Sequence, residues 1–228
     1  MGCLAGDASG SEWRAAAPVD KREGRSDLEL QDVLRRRKMV RSFRADPVPA
    51  DAVAAVVASV LHAPSAGFTQ GNEFLVLESR DAVDDYFRLT DDPSDPFSPE
   101  ARAVLPPVVV LPLSNRSAYL ERYSEPDKIA FGLDDAAHWP VPYWDVDAAM
   151  ASMLILLTAI ECGLGALFTG IFFGESAMLE RFGVPDRFRP IGAIHLGYPT
   201  EIDEFAPKSS VVSRRRRGVD QLVHHNRW

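Results

Sequence analysis

The chain has 228 residues, a formal net charge of -8, and a content of 46% hydrophobic and 25% charged residues, which suits one sizeable globular core or two small ones. Its acidity argues against general nucleic-acid binding, which needs a basic face. With only two cysteines, Cys3 and Cys162, a disulfide framework is excluded and a reducing, cytoplasmic setting is the default expectation.

Residues 1–26 show no basic start followed by an apolar segment, and Gly6 stands where a myristoylation site needs Ser or Thr. They are read as a disordered tail ahead of a single domain over 27–228. Helical spacing of Leu30, Val33 and Leu34 predicts a helix over Leu28–Lys38, and "PADAVAAVVASVLHA" predicts a second over Pro49–Ala63. Short apolar runs bounded by breakers predict strands at Glu73–Ser79 and Pro106–Ser114. Helix then strand, twice over, points to α/β or α+β.

From about 115 to 146 the composition turns to Pro, Asp, Trp and Tyr without a clear period, the pattern of a long surface excursion and a candidate lid. Trp139, Tyr143 and Trp144 are its candidate stacking surfaces for a substrate. The segment Asp147–Gly165, uncharged from Ala148 to Ile160, is short for a membrane span and reads as a helix buried almost all round. A helix apolar on every face needs neighbours on every face, and a second subunit would supply them. A strand over Ala166–Phe172, a helix over Glu175–Gly183 and a strand over Ile191–Pro199 complete the expected elements. The C-terminal arm, about 207–228, carries the run Arg214 to Arg217. Such a run is most often solvated, yet the apolar and aromatic residues after it suggest docking.

Two cationic groups stand out, Arg41-Ser42-Phe43-Arg44 and Arg214–Arg217. Arginine forks beside a hydroxyl suit a phosphate, and solvated helix ends are the plain alternative. Small residues at Pro64, Ser65, Ala66 and Gly67, ahead of Gln70, suit either close backbone approach to a ligand or an ordinary turn. "GLGALFTG" lacks both the Walker ending and the dinucleotide spacing. The histidines show no metal-ligand spacing, and no GxSxG nucleophile elbow occurs. The pairs Asp134/Asp135 and Asp145/Asp147 could do acid–base work, but they sit in a polar stretch where carboxylates are ordinary.

Taken in order, "MVRSFRADPVP", "APSAGFTQGNEFLVLES", "ECGLGALFTGIF", "RFGVPDRFRPIGAIHLGYP" and "RRRRGVDQLVHHNRW" resemble the FMN-dependent nitroreductase family over about residues 27–228. The resemblance implies an α+β, nitroreductase-like fold: a central mixed, mostly antiparallel β-sheet flanked by helices, in an intertwined homodimer with flavin at the subunit interface. By the same resemblance Arg41, Ser42 and Arg44 grip the FMN phosphate and ribityl side, joined by Arg214 and Arg216. Pro64, Ser65 and Ala66, with Gln70, would line the flavin from the partner subunit. Leu167, Phe168, Thr169 and Gly170 would pass the isoalloxazine ring, with a backbone N–H of Thr169 or Gly170 directed at N5.

The implied activity is hydride transfer from NAD(P)H through flavin N5 to a small acceptor such as a nitroaromatic or quinone. No protein nucleophile, nucleic acid or membrane is called for. Val40, Phe68 and Gly71-Asn72 depart from residues common in relatives, so weaker FMN binding or the deazaflavin F420 stands as the alternative cofactor. Flavin storage without turnover is the alternative function.

Overall fold

The computed structural model describes residues 28–91, 104–201 and 215–228. The tail 1–26, Arg214 and the first part of the C-terminal arm lie outside the described residues. Five strands form the sheet: β1 (Asn72–Leu77), β2 (Val108–Ser114), β3 (Gly165–Thr169), β4 (Arg189–Pro190) and β5 (Ala193–Gly197). The order is β1-β2-β5-β3, with the short β4 also on β2, and every strand pair is antiparallel. A single isolated parallel bridge joins Met39 to Ala166 on the outer edge of β3. This is the α+β architecture expected from the sequence.

Strand β2 is buried at all seven residues, and its alternation distributes the core. Val108 and Val110 face one side with Ile194 and Leu196, where α2 (Ala50–Ala58) and α5 (Tyr143–Glu161) lay down Val53, Val56, Ile155, Leu156 and Ala159. Val109, Leu111 and Leu113 face the other, against Val83, Tyr86 and Phe87 of α3 (Arg80–Thr90) and Met178 of α6 (Glu175–Arg181). A period of two along the strand thus feeds two helical layers. Pro112 sits in this central strand because its carbonyl accepts from Ile191 N–H at the break between β4 and β5. A residue's N–H and C=O share one edge in an antiparallel ladder, so the missing donor of Pro112 also faces that break.

Element boundaries differ from expectation in instructive ways. The first helix, α1, is only Leu30–Arg36, and the α-helical part of α2 stops at Ala58 before tightening into a 3-10 turn through His62. Helix α3 was not foreseen. Its signals are a Ser79 cap accepting from Ala82 N–H (3.2 Å) and a Val83-Tyr86-Phe87 stripe amid charge. The excursion is not structureless either: α4 (Arg116–Tyr123), capped by Asn115, and two 3-10 turns fold it around Tyr119, Trp139 and Trp144.

Within the single chain, helix α5 is buried on one side only. Eight of its residues are buried, whereas Val146, Met150 and Met153 are 37%, 37% and 45% exposed. Their spacing of four and three makes one apolar stripe on the side away from the sheet.

Candidate functional site

The Arg41 segment is an extended strip sewn to the edge and end of the sheet. Val40 N–H donates to the Ala166 carbonyl (2.9 Å), Arg44 N–H to that of Tyr198 (2.8 Å), and Thr200 N–H to that of Ser42 (3.2 Å). Val40 and Phe43 turn inward and bury against Leu167, which leaves Arg41, Ser42 and Arg44 on the solvent side. Val40 is therefore a packing residue here. Arg44 Nε meets Asp46 Oδ2 at 2.7 Å, and its guanidinium lies 5.4 Å from the Tyr198 ring centroid. This pairing raises the Arg44 pKa and holds the Asp46 carboxyl below its usual range; both groups are exposed, so solvent screens the effect. Arg41 has no side-chain hydrogen bond or ion pair with another described residue.

Beside this strip, β3 ends with buried Leu167 and half-buried Phe168 and Thr169, and exposed Gly170 follows it. Phe168 N–H points to Met39 Sδ at 3.5 Å. Met39 and Val40, at the head of the strip, thus adjoin residues 165–168 of β3.

The turn at residues 64–70 is built differently. Gly67, Phe68 and Gln70 all have left-handed backbone, with φ of +61°, +55° and +53°, a sparse conformation for the two residues with side chains. Gln70 N–H donates to Ser65 Oγ (2.8 Å), and Thr69 Oγ1 to the Ala66 carbonyl (2.6 Å). Ala66 N–H donates to Asp147 Oδ2 at 2.7 Å, the same oxygen that accepts from the Tyr119 hydroxyl at 2.7 Å. Burial, and then the neighbouring Asp147 carboxylate, push the Tyr119 phenol well above its ordinary range, so it stays protonated and remains a donor. Arg122 Nε closes the far side on the Gly67 carbonyl (3.0 Å).

These two groups do not meet within the chain. The turn leads into β1 at its Asn72 end, whereas the Arg41 strip lies outside β3 at the end marked by Gly165 and Gly197. Three inter-strand steps separate β1 from β3, about 14 Å across the sheet, with the opposite strand ends adding to it.

The expected stacking surfaces also separate. Trp139 and Trp144 are buried against Tyr119, and the Trp139 indole donates to the Leu133 carbonyl (2.7 Å). Their rings are committed to packing, and of the three only Tyr143 is exposed. Arg216 is exposed on the arm.

Residues 34–198 match the sequence profile of the Nitroreductase family. The chain belongs to the nitroreductase family. A protein of Methanothermobacter thermautotrophicus described as an NADH dehydrogenase or NAD(P)H nitroreductase is 23% identical over 180 residues, covering 77% of this chain and 80% of that protein. Among solved structures, a nitroreductase family protein from Streptococcus pneumoniae superposes with a TM-score of 0.65 at 18% identity, over 87% of this chain and all of that one. An FMN-dependent nitroreductase from Clostridium difficile superposes with a TM-score of 0.58 at 17% identity, over 86% and 98%. At these identities the superpositions establish the nitroreductase fold.

Two residues of this site escaped the sequence reading, Tyr119 and Arg122, and a third, Asp147, entered it only as one of a pair of carboxylates. Asp147 had a legible signal. It stands four and eight residues before Ala151 and Ile155, on the buried stripe of α5, where a carboxylate is out of place unless it has donors. Nothing local distinguished Tyr119 or Arg122, since their partners lie 28 and 55 residues away.

Proposed function

We propose that this nitroreductase-family protein is an FMN-dependent oxidoreductase, acting as a homodimer, that takes reducing equivalents from NAD(P)H and delivers them to a small organic acceptor such as a nitroaromatic or quinone. One observation carries the reading: Arg41, without a side-chain partner among the described residues, stands with Ser42 and Arg44 on a strip that backbone hydrogen bonds fix beside β3 and the end of β5. FMN, when bound, would supply the two-electron chemistry that no side chain here offers.

The residues fit that group. Arg41 and the outer nitrogens of Arg44 offer charge-assisted donors to a phosphate, with Ser42 between them. Gly170, just past the end of β3, has no side chain of its own, and the exposed Phe172 ring lies where its β-carbon would be, at 2.6 Å, so a flat ring there would have to displace Phe172. Pro64, Ser65, Ala66 and Gln70 would come from the second copy, since in one copy the turn lies across the sheet from the strip. The exposed Val146-Met150-Met153 stripe supports that pairing, because two such faces can bury each other. Arg216 would join the phosphate group from the arm.

The deciding experiment is to reconstitute the purified protein with FMN and titrate it anaerobically with NADPH and with NADH, following flavin absorbance. Bleaching by either nucleotide is expected. Bound flavin that stays oxidised with both would favour storage, and failure to take up FMN, with uptake of F420, would replace the cofactor.

A further inference from the structure

Side chains of α4 and α5 brace the 64–70 turn through its backbone. Asp147 is 1% exposed. A carboxylate so placed is tolerated only with strong donors, and both of its described donors converge on one oxygen: Ala66 N–H in the turn and the Tyr119 hydroxyl on α4, each at 2.7 Å. Arg122, one turn further along α4, reaches the Gly67 carbonyl while Asp127 holds its guanidinium from the other side at 2.8 and 2.9 Å. The ring faces of α4 lie directly on the turn's backbone. A β-carbon at Gly67 would come within 2.9 Å of Tyr123, and one at Gly71 within 2.8 Å of Tyr119.

The turn contributes little apolar burial of its own. Phe68 is 75% exposed with a left-handed backbone, a conformation that persists only where the surroundings over-determine it. Here the surroundings are Asp147 and α4.

We infer that Asp147, with Tyr119 and Arg122, is a positioning group that holds the left-handed 64–70 turn in the shape needed to line the cofactor, so that α4 serves as a buttress of the flavin site rather than as a moving lid. The inference rests on the proposed FMN reading. Asp147 touches no reacting atom in it; its effect is transmitted through the Ala66 amide to Ser65, whose hydroxyl fixes Gln70.

The test is FMN titration of the apoprotein by flavin fluorescence quenching, with visible circular dichroism of the bound flavin, on wild type, Asp147→Asn and Tyr119→Phe. Asp147→Asn is expected to weaken FMN at least tenfold and to change the shape of the visible dichroism band, and Tyr119→Phe to shift both in the same direction by less. A folded Asp147→Asn with a lower melting temperature but unchanged affinity and dichroism overturns the inference, because a merely structural residue would behave so. If Asp147→Asn does not fold, Tyr119→Phe and Arg122→Gln decide by the same two readouts. Wild-type protein that takes up no FMN overturns the functional reading and this inference together; wild type that binds while the variants bind identically overturns the inference alone.

Discussion

Arg41 and Arg44 share a motif but not an electrostatic situation. Arg44 already meets Asp46 and the Tyr198 face, whereas Arg41 has no described side-chain partner. Arg41→Ala is therefore expected to weaken FMN binding about ten- to hundredfold, the value of a charge-assisted hydrogen bond worth about 1.5–3 kcal/mol. Arg44→Ala should cost less, since its charge is partly neutralised beforehand. Flavin fluorescence titration of both variants measures the difference, and equal losses would contradict it. At this scale the arginines were legible because their chemistry is carried by residue type and local spacing. Asp147 was read as one more carboxylate in a polar stretch, since its burial is created by α4 and the 64–70 turn packing over it.

Two elements carry predictions of their own. Ile155 of α5 is fully buried against β2 and β5, so Ile155→Ala should destabilise by about 2–5 kcal/mol in chemical denaturation, the range for a buried aliphatic truncated to alanine. Helices α3 and α6 are tied by Asp85, which accepts from Arg88 (2.7 Å) and Arg181 (2.7 Å). These arginines hold its carboxyl below its ordinary 3.8. The stabilisation is then complete above that ordinary value and is lost as the pH falls through the lower folded one. Asp85→Asn should lower stability at pH 6 but flatten its decline toward acid, measured by urea melts at pH 6 and pH 3. Helix α5 was recognisable from its uncharged run, whereas α3 was missed because its three core residues are spread among charges. Only the register of β2 shows what that stripe faces.

For the molecule as a whole, the sheet order puts the Arg41 strip and the 64–70 turn on opposite edges, and α5 leaves Val146, Met150 and Met153 uncovered. Under the dimer proposal both facts have one consequence. Met153→Glu should shift the protein toward monomer in light scattering and lower its FMN affinity in the same concentration range, although Met153 belongs to neither the strip nor the turn. A monomeric variant retaining full affinity would show that one copy completes the site. The amino-acid order determined the cationic strip and the long apolar helix through residue type and short-range period; that period left α/β and α+β open, and the resemblance of five ordered segments to a family chose α+β. Tertiary structure decided the rest: which side of α5 stays bare, that Val40, Trp139 and Trp144 serve packing, and that Asp147 braces a turn 81 residues away in sequence. Those outcomes depend on strand order and on contacts between distant segments, which no local pattern encodes.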